Sequence, residues 1–149
     1  AFSVVAVSLK KKIIEGLIQH DIPVSDAKIV DAGETAADGY LGALEILKDP
    51  AGRPTALLCF NDMVAMGAYR AAHELSLQIP EDLSVVGFDG IDFAELLGPP
   101  LTTVDIFPHL LGQKCAELLV RAIGDQTGRG FVTECVTPKL VERASVRQL

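Results

Sequence analysis

The sequence predicts an α/β fold, an open, mostly parallel sheet with helices on both faces. Three observations predict it. β-rich apolar runs recur at residues 2–7, 27–31, 55–60, 83–88 and 101–106. Between them lie segments whose apolar residues repeat at helical spacing. Two of the runs end in polar clusters, Asn61-Asp62 and Asp89. That is the placement expected at the carboxyl edge of a parallel sheet, where such folds bind small ligands.

The elements follow in order. Residues 2–7 carry no charged side chain, lack a basic leader and are too short to span a bilayer, so they read as a buried strand. Residues 9–20 form a helix candidate with Ile13, Ile14, Leu17 and Ile18 on one face. Lys10, Lys11 and Lys12 stand at its start, where cations oppose the helix dipole. Pro23 ends it, residues 27–31 form a short strand, and Gly33 turns the chain. Thr35 can cap a helix whose apolar stripe is Tyr40, Leu41, Leu44 and Leu47. Asp49-Pro50 and Gly52 stop it before a strand at 55–60. A helix over 62–75 is expected to bury Val64, Met66, Ala68 and Leu75, and residues 83–88 form another strong strand. Residues 92–97 read as a short helix broken by Gly98-Pro99-Pro100, and 101–106 as extended. A long amphipathic helix covers 109–123, with Leu111, Cys115, Leu118, Leu119 and Ala122 on one side and Gly124 at its end. A polar link over 125–130 leads to a last extended segment, 131–141.

A chain of 149 residues, 49% hydrophobic and 22% charged, is one ordinary domain with a sizeable core. The net charge of −7 and the lack of a basic arm exclude DNA binding by the chain alone. Cys59, Cys115 and Cys135 are odd in number and lie in apolar runs. They read as free buried thiols in a reducing compartment, hence a cytoplasmic protein. No Cys-x-x-Cys and no His-plus-Cys spacing is present, so neither metal nor cofactor is expected. His20, His73 and His109 lie on separate helix candidates without a patterned Ser or Cys partner. There is no G-x-S-x-G, no phosphate-binding glycine loop and no H-E-x-x-H, so the chain does not read as an enzyme.

Asn61 and Asp89 are the leading site candidates. A carboxylate accepts hydrogen bonds from hydroxyls or ring nitrogens, and an amide both donates and accepts. Together they suit a polyhydroxy or purine-like ligand. Asn61 and Asp62 can instead cap the helix that follows, and for Asp62 capping is the expectation. Phe60 and Phe88 directly precede these residues. Their rings can pack on a sugar, or strand alternation can turn them into the core.

The stretches FNDMVAMGA at 60–68, IPEDLSVVGFDG at 79–90 and PPLTTV at 99–104 occur in order and at the usual spacing. Through them the chain resembles the effector-binding domain of the LacI/GalR family of bacterial transcription regulators. The resemblance covers residues 9–145 and is strongest over 53–125. It implies a periplasmic-binding-protein-like type I fold, here one lobe plus its crossover helix. Residues 1–104 would be the lobe core, and 105–125 a crossover helix that in the family packs on a first lobe. Residues 131–149 would be the return segment. The first lobe and the DNA-binding head of the family lie outside this sequence.

The resemblance also implies roles. Asn61 and Asp89 match effector-contacting positions, with Phe60 and Phe88 beside them. Met66 and Leu97 match positions near a subunit interface, with ordinary core packing as the alternative. Apart from the resemblance, leaving Leu111, Leu118 and Leu119 wet is unfavourable, so their helix is expected to dock on another copy of the chain. Expected partners are therefore a sugar-like effector, a second copy of the chain, and DNA only through a head domain, with no membrane. Two positions depart from the family pattern. Ile106 stands where a polar contact is frequent, and Leu9, after Ser8, stands where an Arg grips ligand. A transport-type sugar-binding protein is the alternative reading of the same fold.

Overall fold

The computed structural model describes residues 2–5, 10–23, 27–124 and 132–147, with side chains described over 13–23, 28–124 and 132–147. The Ser8-Leu9 departure and the 125–130 link lie outside the described residues, as do the side chains of Lys10–Lys12. The strands are β1 (Phe2–Val5), β2 (Ala27–Val30), β3 (Ala56–Cys59), β4 (Ser84–Asp89), β5 (Thr102–Asp105) and β6 (Lys139–Val141). The helices are α1 (Lys10–Gln19), α2 (Ala36–Leu47), α3 (Asp62–Glu74) and α4 (Pro108–Gly124), with short 3-10 turns at Pro50–Gly52 and Asp92–Glu95. One six-stranded sheet runs in the order β2-β1-β3-β4-β5-β6. All neighbours pair in parallel except β6, which runs antiparallel to β5 with Thr103 opposite Val141. This is the open, mostly parallel sheet the sequence predicts.

The core lies between α2, α3 and one face of the sheet. Leu57, Cys59 and Val85 turn toward it and are buried, while their alternates Leu58 and Val86 are half-buried on the other face. Ile46 and Leu47 from α2, Leu83 and Leu101 close the cluster. α3 contributes Val64 and a run of alanines, Ala65, Ala68, Ala71 and Ala72. The two helices cross backbone to backbone. A Cβ on Gly67 would strike the Ala36 carbonyl and the Tyr40 nitrogen, and one on Gly39 would strike Val64.

That crossing corrects the expected stripe of α2. Its buried face is Gly39, Gly42, Ala43, Ile46 and Leu47, and Leu41 is 64% exposed. Large apolar residues mark where burial would stabilise most, but close helix contact requires small ones, which turns the helix away from Leu41. The Thr35 cap is present as a full capping box with Asp38. Met66 and Leu75, expected in the core, are half-buried.

The far end of the chain differs more from expectation. α4 buries none of its residues, and Leu119 is 61% exposed. Among the described residues, no other helix or strand packs extensively against α4. Consequently Cys115 is exposed, as is Cys135 on the return segment, and only Cys59 is buried. Among the described residues of the segment expected to be extended over 131–141, strand pairing is confined to Lys139–Val141. Before that it follows α4, where Glu134 meets Lys114 at 2.6 Å and Arg121 at 3.3 Å. The Lys114 ammonium holds the Glu134 carboxyl below its usual range. After β6 the tail returns to the sheet. Ser145 Oγ donates to the Val85 carbonyl at 2.6 Å and accepts from the Thr102 N–H at 2.8 Å, fully buried.

Candidate functional site

β1, β3, β4 and β5 end at one edge of the sheet, and their connections carry the predicted residues. β3 pairs with β4 as Ala56 with Ser84 and Leu58 with Val86. Carrying that offset onward sets Phe60 level with Phe88, and Asn61 level with Asp89. Phe60 and Asn61 thus directly follow β3, and Phe88 and Asp89 end the adjacent parallel strand β4, at the edge where α/β folds bind ligands. Phe60 and Phe88 are half-buried, and neither belongs to the main core cluster.

Asn61 is the N-cap of α3, with extended backbone angles of φ −148 and ψ 175. Its Oδ1 accepts the Val64 N–H at 2.7 Å, and its Nδ2 donates to the Glu34 carbonyl at 3.0 Å. The amide therefore ties α3 to the β2–α2 connection. Its second N–H and one oxygen lone pair have no assigned role in that tie.

Asp89 ends β4 opposite Asp105 on β5. Its φ is +110, outside the small left-handed region that non-glycine residues tolerate. Gly90 follows at φ +75. Burial pushes the Asp89 carboxyl above the usual carboxylate value, and the nearby Asp62 charge adds to the shift. Its backbone carbonyl accepts the Ile106 N–H at 3.3 Å, so the residue at the family's frequent polar position meets Asp89 through the main chain. Asp105 Oδ1 accepts the Phe107 N–H at 2.6 Å, at a residue with φ +53. Half-buried, Asp89 offers acceptor oxygens to hydroxyl or amine donors at the edge.

Asp62 corrects the capping expectation. Asn61 caps the helix, and Asp62 reaches away from it with zero exposure. Its Oδ2 accepts the Gly90 and Ile91 N–H groups, each at 2.9 Å, and its Oδ1 accepts the Thr103 hydroxyl at 2.6 Å. Gly87 makes this possible, because a Cβ there would collide with the Asp62 Oδ1 and lie 2.9 Å from Leu101 Cδ2. Sequence reasoning missed the trio of Asp62, Gly87 and Thr103. One signal was available: of two consecutive capping-type residues, only one can be the cap.

The predicted interface residues occupy separate places. Met66 on α3 is half-buried, and Leu97 is half-buried against the core. On α4, Leu111 is 40% exposed and Leu118 is half-buried. His20, His73 and His109 are all exposed. Among the described residues, no group of three His, Cys, Asp or Glu side chains is arranged to hold a metal, and no helix is long and apolar enough to cross a membrane. A cavity of about 290 Å³ lies near the other edge of the sheet, lined by Tyr69, His73, Ser76, Gln78, Ile79 and Pro99.

Residues 8–146 match the periplasmic binding protein-like domain family. One relative, the HTH-type transcriptional repressor PurR of Vibrio atlanticus strain LGP32, is 36% identical over 125 residues, which are 84% of this chain and 37% of that protein. A LacI family transcriptional regulator from Enterococcus faecium, solved with bound ribose, superposes with a TM-score of 0.88 at 26% identity over 99% of this chain and 56% of that one. The lac repressor dimer bound to operator and the anti-inducer ONPF superposes with a TM-score of 0.82 at 28% identity, over 97% of this chain and 52% of that one. The chain spans little more than a third of the length of the PurR relative. With its parallel sheet, its polar carboxyl edge and these matches together, the chain belongs to the periplasmic binding protein-like domain family, on the branch of the LacI/GalR regulators.

Proposed function

We propose that this chain is the effector-sensing lobe of a LacI/GalR-type, DNA-binding transcriptional regulator, cytoplasmic and non-catalytic. The observation that carries the reading is Asp89, a half-buried carboxylate that a positive-φ turn presents at the ligand edge of the sheet. Asn61 stands level with it and Phe60 and Phe88 lie beside them, which suits a sugar or purine-like ligand with donors for Asp89. In the intact regulator, effector would bind between this edge and a second lobe. Closure would move β5 and α4, the crossing elements, and so the DNA-binding heads of a dimer. A ligand does this only through unequal affinity for the open and closed states.

Met66, Leu97, Leu111 and Leu118 are the proposed contacts between copies. The exposed Leu111 and Leu119 beside half-buried Leu118 on α4 support the last two, since fully burying such a leucine contributes about 1.5–3 kcal/mol. Light scattering on the chain tests this part, and a strictly monomeric species at high concentration would count against it.

Calorimetry of the intact regulator against ribose and purine bases tests the sensor reading. Asp89→Ala should lose about 1.5–3 kcal/mol per charged hydrogen bond, roughly ten- to a hundred-fold in Kd. The isolated lobe should bind weakly or not at all. Unchanged affinity in Asp89→Ala would refute the site, and micromolar sugar binding by the lobe alone would refute the need for closure.

A further inference from the structure

We propose that Asp62 is the positioning residue of the effector edge: its buried carboxylate fixes the direction in which Asp89 faces and ties that direction to β5. The proposal rests on the sensor reading only for its functional meaning. The geometry stands on its own. Asp89 holds φ +110 without the freedom of glycine, and a backbone in so sparse a region persists only where its surroundings over-determine it. What holds it is visible on both sides. Just after it, the Gly90 and Ile91 N–H groups both donate to one Asp62 oxygen at 2.9 Å. On the next strand, the Thr103 hydroxyl donates to the other oxygen at 2.6 Å.

The Asp62 carboxylate is thus fully buried and filled by three donors of the protein itself, so it is not a ligand group. It bridges three elements: the start of α3, the turn after β4, and β5. Bonds to a carboxylate are about twice as strong as neutral ones, and Gly87 leaves no atom between this carboxylate and the strand. A shift of β5 relative to β4 therefore pulls on the Asp89 turn through one side chain. Conversely, a ligand that redirects Asp89 presses on β5 by the same route.

Amide hydrogen exchange by NMR on the ¹⁵N-labelled chain tests this without any ligand. Thr103→Val keeps the side-chain shape and removes one anchor of Asp62. Exchange at Gly90 and Ile91 should quicken about tenfold or more, while Val85 and Val86 in the preceding strand β4 keep their protection. Asp62→Asn should move the Asp89 amide signal and lower the pH at which its carboxyl titrates, because a like charge has gone; Asp105, the other carboxylate facing this turn, is unchanged in both variants. Parallel acceleration of all β4 amides would reduce Asp62 to a general stabiliser and overturn the proposal, as would unchanged exchange at Gly90 and Ile91. If Asp62→Asn fails to fold, Thr103→Val decides alone. Failure of the regulator to bind ribose or purines would sink the sensor reading and leave this result standing, so the two are separable.

Discussion

Gly67→Ala sets two effects of known size against each other. Alanine is the better helix former by about 1 kcal/mol, so in an open helix the change stabilises. At position 67 the new methyl meets the Ala36 carbonyl, the Tyr40 nitrogen and, at 2.8 Å, the Gly39 carbonyl carbon. All three are backbone atoms of α2, and none can swing aside as a side-chain tip would. Ordinary contact begins at about 3.4 Å, so the helices must part by several tenths of an ångström or more along a fully buried crossing. Overpacking of this kind costs about 1–3 kcal/mol, and a backbone obstacle belongs at or above the upper end. The net expectation is a loss of roughly 2 kcal/mol or more. Urea denaturation followed by circular dichroism measures it. Gly16→Ala in α1 is the internal control, because among the described residues nothing beyond its own helix backbone lies within 4 Å of the added methyl; it should gain up to about 1 kcal/mol. Gly39→Ala combined with Gly67→Ala should cost less than the two single losses added, since the first has already separated the helices. A Gly67→Ala protein more stable than wild type would refute the crossing geometry.

The remaining predictions follow from the edge, the tail and the thiols. The folded-state pKa of Asp89 is raised, so its contribution to stability is complete below the unfolded value near 3.8 and is lost as pH rises through the folded value. Asp89→Asn, which also tolerates positive φ better, should therefore be more stable than wild type at pH 7 with a smaller gap at pH 3, measured by urea denaturation at both. Ser145→Ala strands the Thr102 N–H in the core and should cost about 1–3 kcal/mol, read as a lowered urea midpoint at unchanged slope. Burial pushes the Cys59 thiol up to about 12, so a thiol reagent at pH 8 should label Cys115 and Cys135 in the native protein and reach Cys59 only after unfolding.

The sheet was legible because its strands are short apolar runs separated by turn residues, a pattern set by burial on both sides. Every strand from β1 to β5 lies inside a run expected to be extended, give or take a residue at the ends. Asn61 and Asp89 could be placed at one edge because strand ends have a fixed direction in a parallel sheet. What the sequence concealed depends on contacts between distant segments. The face of α2 was misjudged because its neighbour approaches through glycine, and glycine carries no hydropathic signal. The Asp62 latch joins residues 41 positions apart in the chain, and no local periodicity encodes it. Cys115 read as buried because its helix is amphipathic, but amphipathicity announces a partner without saying that the partner belongs to the same lobe.

The tail has a consequence for biosynthesis. Ser145 fastens onto Val85, 60 residues earlier, and onto Thr102. Two internal strands of the layer thus acquire their final polar partner from almost the last described stretch of polypeptide. During translation β4 and β5 can pair with each other, but the Val85 carbonyl and the Thr102 N–H lack the Ser145 partner until that stretch emerges from the ribosome. For that interval the nascent chain exposes unpaired main-chain groups, the state in which non-native association is most favoured.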